Sequence, residues 1–249
     1  MSAAVVTSHV GPAFERRVAT YEASASIQTW LAGWVDTWVE PAWPSGADVI
    51  ELGAGTGLLT RRLTARGPLV AVDRSAKMVE EGRRRVPHAT WREGDARDLP
   101  AESYDRVYSS AMLQWLDDPD EAFRCWAGAL KPGGRMVHGL FVHPSLPELV
   151  ALEPEAVPLT WRDAETWCRA AGEAGLRVRR RELRRREVRH RDAHSFFRSL
   201  HDTGVTPATP RLGAGRLRTL LRQYDACQRC ADGAVRATWT ALLLELEKD

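Results

Sequence analysis

Two acids and three glycines pose the first chemical question in this chain. Val49-Ile50-Glu51-Leu52-Gly53-Ala54-Gly55-Thr56-Gly57 is a short apolar run that meets a carboxylate and a Gly-rich turn. A second apolar run, Leu69 to Val72, ends in Asp73, twenty positions beyond Gly53. A strand, a tight loop, a helix and a second strand with an acid at its tip suit an adenosyl ligand. The tip carboxylate can accept both ribose hydroxyls, and glycines let the backbone come close to the ligand. The spacing argues against two other nucleotides. A dinucleotide fingerprint needs a third glycine where Leu58 stands, and a triphosphate loop needs a G-K-[ST] that is absent.

These residues need a frame, and the hydrophobic pattern supplies one. Strands are expected at Val49–Leu52, Leu69–Val72, Thr90–Glu93, Tyr104–Ser109 and Arg135–Val142, with helices over 58–66, from Ser75 to Arg85 and over 119–130. Lys131-Pro132-Gly133-Gly134 reads as the stop of the last of these. The alternation implies a parallel sheet with helices on both faces. In such a sheet the ligand lies outside the carboxyl ends of the strands. The residues there are Gly53, Ala54 and Gly55; Asp73 and Arg74; Asp95 and Ala96; Ser110, Ala111 and Met112; and Phe141, Val142 and His143. Ahead of the sheet, Ile27, Trp30, Leu31, Trp34, Val35 and Trp38 form one apolar stripe of a helix over 13–40. That helix is expected over the ligand side or the sheet edge.

Beyond the fifth strand, four prolines break 143–161 into a loop. Helices are expected over 161–174, 193–203 and 213–230, and a final, antiparallel strand over 235–246. The fold expected is α/β: a doubly wound, mostly parallel, seven-stranded Rossmann-like sheet. It carries an N-terminal helical cap and a helical insertion before the last strands. The chain reads as a single domain over 1–249, with a cap at 1–44, a binding core at 45–142 and substrate-side helices and closing strands at 143–249.

The segment Glu51-Leu52-Gly53-Ala54-Gly55-Thr56-Gly57 resembles motif I of class I S-adenosylmethionine-dependent methyltransferases. More of the chain is similar to one branch, the malonyl-acyl-carrier-protein O-methyltransferases of biotin synthesis. The likeness lies in Phe14-Glu15-Arg16-Arg17 through Tyr21-Glu22 to Ile27-Gln28, in Met112-Leu113-Gln114-Trp115, in Phe197 to Val205, and in Tyr224 and Trp239. It implies S-adenosyl-L-methionine as cofactor. The implied binding set is Gln28, Glu51, Gly53, Ala54, Gly55, Asp73, Arg74, Met78, Asp95, Ala96, Ser110 and Met112. Asp73 would take the ribose and Asp95 the adenine amine. The implied acceptor is a malonyl thioester on an acidic acyl carrier protein, and the implied product a methyl ester.

A malonyl carboxylate is ionised at neutral pH, since its pKa lies near 4. It needs no general base to attack a sulfonium methyl, only orientation in line with the departing sulfur. A cation or neutral donors would hold it. His143 at a strand tip and Tyr21 on the first helix are the candidates at the reacting centre. Arg162, Arg198 and His201 are the candidates for the substrate, the last two on a helix that the resemblance places near it.

The composition narrows the class. The chain has 249 residues, is 44% hydrophobic and 27% charged, and carries a net charge of +2. It is expected to be soluble and cytoplasmic, with no membrane span, no metal site and no nucleic-acid partner, because its basic run is not interleaved with aromatics. Arginine occupies 177, 179, 180, 181, 184, 185, 186, 189 and 191. This run is either a solvated strand face or a docking surface for an acidic partner. The four cysteines, including Cys227-Gln-Arg-Cys230, are expected to be reduced packing residues. Two rival readings stand: a methyltransferase for another small acid or natural product, and a non-catalytic adenosyl-binding protein.

Overall fold

The computed structural model describes residues 18–157, 159, 161–205 and 212–249. The quoted Phe14 to Arg17 lie outside them. Seven strands form one sheet: β1 (Val49–Leu52), β2 (Val70–Asp73), β3 (Thr90–Glu93), β4 (Tyr104–Ser110), β5 (Leu130–Phe141), β6 (Leu176–His190) and β7 (Val235–Lys248). Their order is β3-β2-β1-β4-β5-β7-β6, and β7 runs antiparallel to both of its neighbours. All four residues of β1 are buried, as expected of a central strand covered on both faces. The strand order reverses between β1 and β4, so a crevice opens at their carboxyl ends.

Helices α1 (Val18–Ser24), α2 (Ser26–Asp36) and α3 (Thr60–Leu63) precede α4 (Ala76–Arg85), α5 (Pro119–Ala129), α6 (Pro147–Leu152), α7 (Ala164–Glu173), α8 (Ala193–Asp202) and α9 (Ala214–Gln228). Short acceptors start several of them. Ser75 Oγ accepts from Met78 N at 3.3 Å, and Asp118 Oδ1 from Glu121 N at 2.9 Å. Two cores result. Phe123, Trp126 and Trp167 fill one face beneath α5 and α7, with ring centroids 5.3 and 6.4 Å apart. Leu31, Val35, Tyr108, Phe141 and Trp239 fill the other. Among the described residues no helix is long and apolar enough to cross a membrane.

The elements differ from expectation in physically intelligible ways. The expected helix over 13–40 is broken at Ala25, whose ψ of 38° turns the chain. Beyond that turn α2 lies across β4 and β5, over a sheet face and not at its edge, while α1 packs between α4 and α8. Gly139 on β5 admits α2: a Cβ there would stand 2.5 Å from Val35 Cγ2. The helix expected over 58–66 shrinks to α3 and a 3-10 turn at Thr64–Arg66, because residues 57–59 are drawn into the glycine loop. Residues 143–161 are not all loop. Pro147 and Pro154 open α6 and a 3-10 turn, positions where a missing N–H costs nothing. Lys131 to Gly134 follow α5, which ends at Ala129 as the stop signal implies, but they already lie inside β5, which starts at Leu130 and not at Arg135.

Candidate functional site

The crevice at the strand tips is a cleft of about 1240 Å³, counting its open mouth. Its floor is the glycine loop. Gly53 has φ +64°, and a Cβ on it would meet Met112 Cγ at 2.2 Å, so a side chain is excluded there twice over. Asp73 holds the loop from β2: its Oδ2 accepts from Gly55 N at 2.8 Å and its Oδ1 from Ser75 N at 2.9 Å. One carboxylate thus ties the loop to the start of α4 and keeps further lone pairs for a ligand. Burial pushes its pKa up, against the lowering by these two amides.

Glu51 stands below the loop, 2% exposed, and its Oε2 has no partner. Burial pushes its pKa up to about 8, the Thr60 hydroxyl opposes this, and the charge of Asp73 adds to it. An unpartnered carboxyl in a cleft is stabilised by a cationic ligand group. Asp95 is held in a two-pronged pair by Arg97, Nε to Oδ1 at 3.0 Å and Nη2 to Oδ2 at 2.9 Å, and Arg97 also bonds Glu121 at 2.9 Å. The guanidinium keeps the Asp95 carboxyl below its usual range. Arg74, Met78, Ala96, Ser110 and Met112 line the same cleft, and Tyr21 and Gln28 close it from α1 and α2.

The latch on α1 is Glu22, which the sequence did not flag for this role. Its Oε1 accepts from Thr56 Oγ1 at 2.8 Å and pairs with Arg61, and its Oε2 takes Arg85 Nη1 at 2.8 Å. It therefore joins the cap to the glycine loop and to α4. Burial, then the charges of Asp73 and Glu22, push the Tyr21 phenol well above its ordinary range, so it stays a neutral donor.

A smaller, narrow chamber of about 290 Å³, again counting its open mouth, adjoins the cleft and shares Tyr21, Gln28, Ala111 and Trp115 with it. Phe141, Trp161 and Trp239 wall it, with Trp239 centred 4.9 and 5.9 Å from the other two rings. Gln28 Oε1, Gln114 Oε1 and Trp161 Nε1 are buried without partners. Among the described residues lining the chamber none is charged. Gln114 and Trp239 were legible only through the family resemblance, and Trp161 was not singled out. Their convergence needs the sheet.

Four expected residues are not brought there. His143 is exposed and lines neither cavity: β5 ends at Phe141, and the chain turns so that His143 N bonds Arg162 O at 2.9 Å. Arg162 spends its guanidinium on the loop after β4, donating to Leu116 O at 2.8 Å and to Asp117 O at 2.5 Å. It positions the cleft wall and does not face an acceptor. Arg198 and His201 are exposed on α8, beside His194 at 3.4 Å and Asp202 at 3.3 Å. Nor do the cysteines all pack: Cys227 is exposed and the other three are half-buried, all unpaired by disulfides. Among the described residues no cluster of His, Cys, Asp or Glu could hold a metal ion.

The floor, the two acids and the unpartnered Glu51 oxygen fit an adenosyl ligand that carries positive charge. Known proteins agree. A methyltransferase-domain family model matches residues 50–138. The malonyl-[acyl-carrier protein] O-methyltransferase of Geobacter sulfurreducens is 30% identical over 253 residues, covering 92% of this chain and 94% of that protein. The trans-aconitate 2-methyltransferase of Deinococcus radiodurans is 40% identical over 93 residues, 35% of each chain. The solved structure of geranyl diphosphate C-methyltransferase from Streptomyces coelicolor, with S-adenosyl-L-homocysteine, superposes with a TM-score of 0.56 at 16% identity over 88% of this chain and 77% of that one. With its doubly wound sheet, its glycine loop pinned by a strand-tip acid and a relative alike over nearly its whole length, the chain belongs to the class I S-adenosylmethionine-dependent methyltransferases.

Proposed function

We propose that the protein methylates the free carboxylate of a malonyl thioester, carried on an acyl carrier protein, to give a methyl ester. The observation that carries this is the chamber beside the donor cleft, which holds no usable base. S-adenosyl-L-methionine, when bound, supplies an electrophilic methyl on a sulfonium. An acceptor in this chamber must therefore arrive already ionised, and a carboxylate does so at neutral pH. The Tyr21 hydroxyl, the Gln28 amide and the Trp161 N–H are neutral donors. They can orient an anion and exclude water without the tight pairing that a cation would impose on the attacking oxygen.

In this reading Glu51 faces the positive part of the donor, Asp73 its ribose and Asp95 its adenine. Methylation would remove the charge of the malonyl group and let it be elongated as an ordinary acyl chain, a step toward a biotin precursor. The resemblance to the Geobacter protein supports the acceptor. The resemblance to the trans-aconitate enzyme covers only 35% of this chain, and a tricarboxylate would be poorly held in a chamber without a cation.

The test offers labelled donor with malonyl-carrier, malonyl-CoA, trans-aconitate and simple dicarboxylates in parallel. The expected product is labelled malonyl thioester whose label is lost in mild alkali, as an ester is. Alkali-stable label, or a preference for a free acid, would replace this reading with one of the rivals.

A further inference from the structure

We propose that the acceptor reaches the chamber through a second opening, between the α1–α2 junction, the end of β6 and α8, with Gln28 as its inner gate. The ligand class is a slender pantetheine-type thioester arm, so the proposal rests on the malonyl-thioester reading.

The argument starts from direction. A nucleophile must approach the methyl from the side opposite the sulfur. A donor in the cleft would stand between the chamber and the cleft's mouth, so the acceptor would need another way in. Gln28 and Trp239 also line a third, narrow pocket of about 260 Å³ counting its open mouth, so an arm would have to displace one of them to pass. Gln28 thus lines cleft, chamber and pocket alike.

The walls fit an arm of amides and methyl groups. Ser24, Ser26, Ser199 and Thr203 present hydroxyls, with Val188 and Leu200 between them. Ser199 Oγ donates to Phe196 O at 2.7 Å and Thr203 Oγ1 to Ser199 O at 2.8 Å, which leaves both oxygens able to accept an amide N–H. Gln28 is 6% exposed, and its Oε1 has no partner at the junction of all three spaces. No carboxylate lines the cavity among the described residues.

Charge outside the opening has the matching sign. Val188 and His190 line the cavity, so alternation along β6 sends Arg186 to the same side of the sheet. Arg186 is exposed and makes no ion pair among the described residues, and exposed Arg198 directly precedes Ser199 on α8. Two such cations suit the phosphate at the outer end of an arm and the acidic carrier that bears it.

The test plugs the opening. Ser26 is exposed at the first turn of α2, so Ser26→Cys is folded first and then modified with a bulky maleimide. Wild type treated alike controls for exposed Cys227. The labelled variant should lose about tenfold or more in kcat/KM for malonyl-carrier while binding S-adenosylhomocysteine as wild type does in calorimetry. Ser199→Phe narrows the opposite wall and should act in the same direction. Wild-type kcat/KM in both plugged forms overturns the route. A parallel loss of donor affinity assigns the effect to α2 itself and also overturns it. Failure of the untreated wild type to methylate any malonyl thioester instead overturns the functional reading, so the two failures are separable.

Discussion

Two carboxyl groups in the cleft divide the work by environment. Asp73 is a scaffold and an acceptor at once, since both its oxygens already take backbone amides. Asp73→Ala leaves Gly55 N and Ser75 N without that partner and removes the proposed ribose contact. Donor binding should weaken by about 1–3 kcal/mol, read by calorimetry with S-adenosylhomocysteine. Wild-type affinity would deny Asp73 the role. Glu51 has a proton at stake. With a pKa near 8 it is largely protonated at pH 7 in the free protein. A sulfonium and an ammonium nearby favour the carboxylate, so donor binding should release up to about one proton. Enthalpies measured in buffers of different ionisation heat would differ accordingly, and affinity should rise with pH up to about 8. The stability sign follows from the same shift. The folded pKa is raised above the unfolded one, so the native state binds more protons between pH 4.5 and about 8, and stability falls as pH rises through that window. Glu51→Gln should abolish the proton release. Buffer-independent enthalpy in the wild type would contradict the assignment.

At the scale of elements, the cap is latched and not fused. Glu22 is the point where α1 meets the glycine loop, α3 and α4. Glu22→Ala should leave the sheet folded, with a thermal midpoint close to wild type, yet weaken donor binding severalfold and speed proteolysis before α2. A midpoint that falls steeply with unchanged donor affinity would make α1 a structural element only. The seat of α2 is less forgiving. Gly139→Val would drive a side chain into Val35 and Leu31, and overpacking of this kind costs about 1–3 kcal/mol, read as a lower urea midpoint with unchanged m-value. The expected helix over 13–40 hid this division, because periodicity reports which face is apolar and not where a chain turns between two packing partners. Likewise, prolines in 143–161 read as breakers, whereas at the first position of a helix they start it.

For the whole molecule, the arginine run becomes the edge strand β6, and most of its charge is spent internally. Arg177 and Arg179 pair with Glu247, Arg181 with Glu165, and Arg189 with Asp232, while Arg180 and Arg184 lie over Trp38 and Trp34 at 3.5 and 4.5 Å. A charged edge also resists pairing with other sheets. Within the run, the proposed contact with an acidic carrier thus narrows to Arg185 and Arg186, which have no ion pair among the described residues and would act beside Arg198 on α8. Their joint reversal to Glu should raise KM for malonyl-carrier, leave that for malonyl-CoA near wild type, and lose its effect as salt shortens the Debye length below about 8 Å. Equal effects on both substrates would end the docking idea.

The sequence by itself determined the donor half of this protein. Gly53, Gly55, Asp73 and Asp95 sit within a few residues of strand ends, and a βα unit places such residues at a ligand by local geometry alone. The sheet and its antiparallel last strand were legible for the same reason, since strand runs and turn residues are local signals. Only the tertiary structure joins the residues of the proposed acceptor chamber. Tyr21, Gln114, Trp161 and Trp239 come from the cap, the loop after β4, the approach to α7 and the last strand, and nothing in their spacing brings them together. It also placed His143, Arg162, Arg198 and His201, chosen for charge near the expected places, outside the chamber. Whether a side chain faces a cavity, solvent or a carbonyl depends on how elements far apart in the chain pack, and that is settled by burial of the whole core.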